Sequence, residues 1–179
     1  AGLLAFLSAA APASSSNNPL LAPWAGPYGG VPPLDAVRVE QFEPALEAGM
    51  AAQLAAIDTI TAEAAPATFA NTIAALEGSD RLLKQVAAVY GIWASTMSTP
   101  DFQAVETEMA PKLAAFRDRI TQNAKLFERI AAVYEARDGA ALTPEQKRLT
   151  WLYYTDFVRA GARLSPDAKK RVAEVNERL

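Results

Sequence analysis

The sequence predicts an all-α fold of long antiparallel helices joined by short turns. Three observations carry that expectation. From residue 39 onward, apolar residues recur at intervals of three and four, the spacing of one helix face. No stretch alternates with the period of two that a half-buried strand requires. Between the periodic segments stand Pro, Gly and capping residues, which stop one helix and start the next.

Residues 1–16 read as a truncated leader. Gly2-Leu3-Leu4-Ala5-Phe6-Leu7 is apolar and runs into Ser8-Ala9-Ala10-Ala11-Pro12-Ala13, then Ser14-Ser15-Ser16. This is the order of apolar core, small-residue cleavage site and polar mature start in a secretory signal, and Ala9-x-Ala11 and Ala11-x-Ala13 both fit the small-x-small rule. No starting Met and no basic segment precede it. The reading predicts an exported, periplasmic protein; a native Ala-rich leader on a cytoplasmic protein is the alternative. A membrane-spanning helix needs about 20 apolar residues, a length no segment reaches, so no membrane span is expected.

Residues 17–38 form the second part. Asn18-Pro19, Ala22-Pro23-Trp24, Gly26-Pro27-Tyr28-Gly29-Gly30 and Val31-Pro32-Pro33 crowd it with residues that break regular structure. An extended arm is expected. Leu20, Leu21, Trp24 and Tyr28 give it apolar side chains to press on a surface, which a free linker would not need.

Residues 39–179 form the helical domain. The first helix, 39–63, carries Phe42, Leu46, Met50, Leu54, Ile57 and Ile60 on one stripe, with Pro44 near the first turn, where its missing N–H matters least. Ala65-Pro66 ends it and Thr68 caps the next. That second helix, 69–96, has Ile73, Leu76, Leu83, Val86, Val89, Tyr90 and Trp93 as its apolar face. Gly78-Ser79 is its weak point, since Gly costs about 1 kcal/mol against Ala. A third begins near Pro100 with Phe102, Val105, Met109, Leu113, Phe116 and Ile120; Pro111 predicts a kink. Gln122-Asn123 interrupts the pattern before Leu126, Phe127, Ile130, Val133 and Tyr134, and Asp138-Gly139 closes it. Thr143-Pro144-Glu145-Gln146 is a helix start with the spacing of a capping box. The helix that follows holds Leu149, Leu152, Tyr153, Phe157 and Val158 and ends near Ala160-Gly161. Ser165-Pro166-Asp167 opens the last helix, whose pattern is still running at Leu179. The fold is therefore expected to be incomplete.

Composition narrows the chemistry. The 179 residues include no His and no Cys. That removes a Ser-His-Asp triad, a Cys-His pair, an imidazole acid/base and the usual nitrogen/sulfur zinc site. Neither catalytic nor metal-binding residues are predicted, and no cofactor is expected in this chain. The net charge is −3 and the pI about 5.1, which argues against nucleic acid as a partner. Lys169-Lys170-Arg171, flanked by Asp167 and Glu174, reads as a solvated helix face. Glu106 and Glu108 are two apart and face different ways on a helix, and Asp156 with Arg159 reads as an exposed pair.

A family resemblance emerges from motifs taken in order. Asn18-Pro19-Leu20-Leu21, Trp24 and Gly26-Pro27-Tyr28-Gly29-Gly30-Val31-Pro32-Pro33 come first. Phe42-x-Pro44-Ala45-Leu46, Pro66-x-Thr68-Phe69-x-Asn71-Thr72-Ile73, Leu76-Glu77, Val89-Tyr90-Gly91 and Met109-Ala110-Pro111-Lys112 follow. Leu142-Thr143-Pro144-Glu145, Trp151-Leu152-Tyr153-Tyr154 and Phe157-Val158-x-x-Gly161-Ala162 complete the series. Each alone reads as a helix cap or core segment, but their order and spacing resemble the head of the peptidyl-dipeptidases (dipeptidyl carboxypeptidases), thimet-oligopeptidase-like zinc metallopeptidases. The likeness spans residues 17–179. Leu34, where the family often has Phe, and Gly78, where Arg or Lys is frequent, depart from the pattern.

The resemblance implies an N-terminal helical region that walls one side of a deep channel. It places zinc in the full-length parent, on His-Glu-x-x-His and a downstream Glu in the C-terminal half, and no position of this chain matches those residues. It implies two partners, the C-terminal catalytic half of the same chain and peptide substrates, and it implies that the parent releases dipeptides from the C-termini of short peptides. The candidate channel-lining residues are Asn71, Trp151, Tyr153 and Tyr154. Against that reading, an Asn in a first helical turn usually bonds local backbone, and aromatics at helical spacing are usually core. The alternative function is a stand-alone exported helical interaction module without enzymatic activity.

Overall fold

The computed structural model describes residues 18–27 and 30–176. The leader 1–16, Tyr28 of the arm and the helix end at Leu179 lie outside the described residues. Within them, regular structure is helical. A 3-10 turn Val39–Gln41 leads into α1 (Phe42–Ala62). A π-helical segment Phe69–Ala74 runs into α2 (Ala75–Ser79), and α3 spans Arg81–Thr96. Then come α4 (Pro100–Thr121), α5 (Ala124–Ala136), α6 (Pro144–Arg159) and α7 (Pro166–Asn176).

The helix starts form for the reasons the sequence suggests. Thr68 Oγ1 accepts the Asn71 N–H (3.2 Å), Thr99 Oγ1 that of Phe102 (3.3 Å), Asn123 Oδ1 that of Leu126 (3.0 Å) and Thr143 Oγ1 that of Gln146 (3.3 Å). Each such cap contributes about 1 kcal/mol by satisfying an N–H that has no intrahelical partner. The weak point at Gly78-Ser79 is a true break: α2 ends at Ser79, and Asp80 (φ −96°, ψ 8°) leaves the helical conformation before α3 begins. Pro111 does not interrupt its helix; α4 runs on through it. The π-helical segment is a feature the periodicity does not announce. It buries two consecutive residues, Thr72 and Ile73.

The aromatic contacts fix the helix directions. Phe42, at the start of α1, meets Tyr90 and Trp93 late in α3, while Gly49, further along α1, lies against Leu83 early in α3. The two helices are antiparallel. The same holds for α5 and α6, where Phe127 stacks with Phe157 and Tyr134 with Tyr154. By contrast, α4 runs in the general direction of α1. Phe102 packs on Phe42, and Lys112, further along, reaches Glu43 and Glu47.

Two apolar clusters result. The first gathers Leu20 and Val37 of the arm, Phe42, Leu46 and Met50 of α1, Val86, Val89 and Trp93 of α3, and Phe102, Met109 and Phe116 of α4. The second gathers Ile57 and Ile60 of α1, Ile73 and Leu76, then Leu126, Ile130 and Val133 of α5, and Phe157 of α6. Helix α1 belongs to both, and Ile120 packs against both.

The arm is seated as its side chains suggest. Leu20 is fully buried, and Leu21 and Trp24 pack against the first cluster. Gln85 Nε2 donates to the carbonyls of Leu20 (2.9 Å) and Ala22 (2.8 Å), and Asn18 Nδ2 donates to that of Gln41 (2.8 Å). Gly26 and Gly30 turn the arm at φ +110° and +105°, where side chains other than glycine's are strained. Ala25 and Val31 face each other across that turn.

One ion cluster ties α4 to α1. Lys112 Nζ lies 2.7 Å from both Glu43 and Glu47 and 3.2 Å from Glu108. The lysine's hydrogen bond holds the Glu43 carboxyl below its ordinary range, and Glu43 and Glu47 push the Lys112 ammonium up. A depressed carboxyl pKa stabilises the folded state above the unfolded value of 4.5 and loses that effect as pH falls through the lower folded value. Lys112→Met is therefore expected to lower the thermal midpoint by only a few degrees at neutral pH, because exposed pairs are weak. The deficit should shrink as pH falls below about 4. Thermal unfolding across a pH series checks this; an equal deficit at neutral and acid pH would show that packing, not charge, is what the lysine supplies.

Candidate functional site

The irregular stretch of the second helical segment opens the surface. Where α2 stops and α3 starts, Ala74, Glu77, Gly78, Asp80, Arg81 and Lys84 line an open groove of about 420 Å³. The π-helical segment ends at Ala74, on its edge. Helices wound with an extra residue per turn recur at functional sites because they displace side chains from the regular stripe.

Charges in the groove are arranged by the break. On an unbroken helix, Glu77 and Arg81, four apart, would face each other. Here Glu77 turns elsewhere. Its Oε2 accepts from the Tyr153 hydroxyl of α6 at 2.5 Å, and its Oε1 lies 3.5 Å from Lys84 Nζ. Lys84 also pairs with Asp80 Oδ2 at 3.1 Å, while Asp80 Oδ1 is buried without a hydrogen-bond partner. Arg81 is exposed and forms no hydrogen bond or ion pair among the described residues.

These contacts set the protonation states. The Tyr153 hydrogen bond, then Lys84, lowers the Glu77 carboxyl despite its partial burial. The Asp80 hydrogen bond holds the Lys84 ammonium up. Burial first, and Glu77 second, push the Tyr153 phenol far up. All three shifts run away from the neutral range, Glu77 downward and Lys84 and Tyr153 upward. A proton-transfer catalyst needs a pKa near the working pH. This arrangement is suited to binding.

The four residues singled out from sequence are placed differently. Tyr153 is tied to the groove through Glu77. Asn71 is occupied by its own loop: Oδ1 accepts from the Thr68 N–H (2.7 Å) and Thr72 Oγ1 (3.0 Å), and Nδ2 donates to the Pro66 carbonyl (3.0 Å). Trp151 is half-buried under the Arg148 guanidinium, 4.3 Å from its ring centre. Tyr154 stacks face to face on Tyr134 (centroids 3.8 Å apart), with Arg137 on the far face of that pair at 3.8 Å and Arg163 bonded to the Tyr154 hydroxyl. The structure thus brings none of the other three to Tyr153's groove residue. Asp156 and Arg159, expected to pair, form no ion pair among the described residues. Glu108 joins Lys112, whereas Glu106 raises the Tyr90 phenol alongside burial, so the two carboxylates do act in different places.

Glu77, Asp80, Arg81 and Lys84 are the residues that sequence reasoning missed. Their signal was present: two oppositely charged pairs stand at spacing four, Glu77 with Arg81 across the weak point at Gly78-Ser79 and Asp80 with Lys84 just after it.

The chain has no His or Cys, and among the described residues no three metal-ligating side chains gather at binding spacing. No helix among the described residues is long and apolar enough to cross a membrane.

Known proteins match this chain along most of its length. It is 32% identical over 161 residues to a dipeptidyl carboxypeptidase of Salmonella typhimurium, covering 90% of this chain and 24% of the relative. It is 31% identical over 162 residues to a dipeptidyl carboxypeptidase of Escherichia coli, with the same coverage. Oligopeptidase A of Salmonella typhimurium is 26% identical over 166 residues, 91% of this chain and 23% of that protein. No family model matches. The chain spans about a quarter of the length of the relatives it matches. The resemblance read from the motifs agrees with these matches: over nine-tenths of its length the chain is similar to a region of dipeptidyl carboxypeptidase-type peptidases.

Proposed function

We propose that this relative of the dipeptidyl carboxypeptidase-type peptidases is the N-terminal channel-wall region of an exported zinc metallopeptidase. The parent releases dipeptides from the C-termini of short peptides, and this region restricts access to chains thin enough to enter. Zinc and the catalytic residues belong to the C-terminal half of the parent; the region itself is non-catalytic. The leader-like segment 1–16 supports export to the periplasm. Exposed apolar side chains on the arm (Val31, Leu34), on α3 (Ile92, Met97) and on α6 (Leu152) are the surface this reading assigns to the rest of the protein.

One observation carries the reading. The similarity covers nine-tenths of this chain yet a quarter of each relative, a span in which the chain carries neither the His nor the Cys of a usual zinc site. The DNA downstream of codon 179 tests it. A continuing frame of several hundred codons containing His-Glu-x-x-His is expected. Its product should release dipeptides from unblocked peptides and lose that activity to a chelator, whereas the 179-residue chain should show none. A prompt stop codon would overturn the proposal and leave a helical interaction module.

A further inference from the structure

The arm has the build of a short ligand that the chain carries for itself. Asn18 folds it locally. Its Oδ1 accepts the Leu20 N–H (3.0 Å), its carbonyl accepts the Leu21 N–H (3.0 Å), and its Nδ2 donates to the Gln41 carbonyl just before α1 (2.8 Å). The turn so formed sends Leu20 into the first cluster, where it is fully buried with residues of α1, α3 and α4. Leu21 and Trp24 pack against the same cluster, whereas Ala22 and Pro23 are exposed. Gln85 of α3 donates from Nε2 to two carbonyls, those of Leu20 and Ala22. It grips the backbone while the cluster selects the leucine. These contacts need residues 18–24 and no covalent link to the helices.

The link is the stretch that follows. Ala25, Gly26 and Pro27 are exposed, as are Leu34, Asp35 and Ala36, before Val37 is buried again in the first cluster. The turn between them is closed. Ala25 and Val31 face each other, and Gly30 comes so near Trp24 that a Cβ on it would lie 2.6 Å from the Trp24 Cβ. Tight hinge turns favour exchange of the segment they carry. Opened, residues 25–36 reach about 40 Å, enough to cross to a neighbouring molecule. We propose that the face of α1 and α3 that seats the arm is a recognition site for an Asn-Pro-Leu-Leu turn followed by Trp, and that it takes this segment from a second copy of the chain as well as from its own. An arm from another copy makes the same contacts without the closed turn. The chain's own arm has the advantage of its tether, an effective concentration on the order of millimolar. Exchange therefore shows once the arm of one copy and the seat of the other are disabled. The site needs neither the parent's catalytic half nor its peptide substrates.

The experiment pairs two variants of the 179-residue chain. Leu20→Ala keeps the seat and weakens the arm; Gln85→Ala keeps the arm and weakens the seat. Sedimentation velocity should show each alone as a monomer and their equimolar mixture as a hetero-complex of one copy of each. The second probe is the peptide of residues 18–27 with blocked ends. It should bind the Leu20→Ala chain saturably, shifting amides of α1 and α3 and leaving those of α5 and α6 in place. The same peptide carrying Leu20→Ala should bind roughly tenfold more weakly or worse, as loss of a buried leucine requires. Adding Gln85→Ala to the acceptor should weaken the unmodified peptide several-fold. Asn18 lies outside the cluster, so Asn18→Ala serves as a second acceptor that leaves the core filled. No peptide binding by either acceptor would overturn the proposal, as would equal binding of the Leu20→Ala peptide. A complex formed equally by either variant alone would point to another face and overturn it too. Peptide binding without a hetero-complex would overturn the second copy as the partner.

Discussion

Phe42→Ala is expected to lower the unfolding free energy by about 3–5 kcal/mol, the range for deleting a buried aromatic side chain. Phe42 is fully buried and lies edge-on to three other rings: Tyr90 at 5.8 Å, Trp93 at 5.2 Å and Phe102 at 5.2 Å. Edge-to-face pairs contribute about 0.5–1.5 kcal/mol each beyond the area they bury. The three partners come from α3 and α4, so the ring joins three helices at one point. Those rings are themselves held on other sides and cannot collapse fully into the space left behind. A domain is stable by only about 5–15 kcal/mol, so the loss is a large share. Chemical denaturation measures it, with Phe42→Leu as the milder comparison at below about 2 kcal/mol. A deficit of under about 1 kcal/mol for the alanine variant would mean the first cluster is loosely packed.

The second large effect is expected at Gly30. Its φ of +105° is a conformation that L side chains rarely adopt, and a Cβ there would lie 2.6 Å from Trp24 Cβ, 2.7 Å from the Trp24 carbonyl oxygen and 2.8 Å from its carbonyl carbon. Two of those three atoms are backbone and cannot swing aside. Gly30→Ala must therefore open the turn or push Trp24 off the first cluster. Backbone strain of this kind costs on the order of 1–3 kcal/mol, and displacement of Trp24 and its neighbours adds lost burial. An unfolding deficit of about 2 kcal/mol or more is expected, with new proteolytic cleavage confined to residues 18–37. Unchanged protection of the arm would refute the account.

Much of the fold was legible because short-range physics decided it. Thr68 and Thr143 cap the helices they were expected to cap, since the needed acceptor is three residues from the donor it serves, and Thr99 and Asn123 cap α4 and α5 in the same way. The arm's docking was legible from apolar residues that an unattached segment would not carry. What escaped depended on partners distant in sequence. Lys112 reads as an ordinary surface lysine until α1 brings Glu43 and Glu47 to it. Gly49 reads as a mild helix weakness, yet it admits Leu83, whose Cα lies 3.0 Å from where a Cβ would be. The aromatic run on α6 was legible as a cluster, but its division was not. Tyr153 turns to Glu77 and Tyr154 to Tyr134, because neighbours on a helix point about 100° apart. The groove charges were missed for a related reason: spacing alone pairs Glu77 with Arg81, and only the break separates them.

Helix α1 has one end in each apolar cluster. Its 21 residues make a rod of about 31 Å. Phe42, Leu46 and Met50 clamp one end, and Ile57 and Ile60 clamp the other. Such a rod behaves as a lever. A tilt of about 5° imposed at the Ile60 end, beside the π-helical segment, would carry the Phe42 end, where the arm is seated, by about 2–3 Å. Displacements of that size exceed what a close-packed interior absorbs locally. The two halves of the molecule must therefore shift together or not at all, and a load applied at the α5–α6 side is felt at the arm.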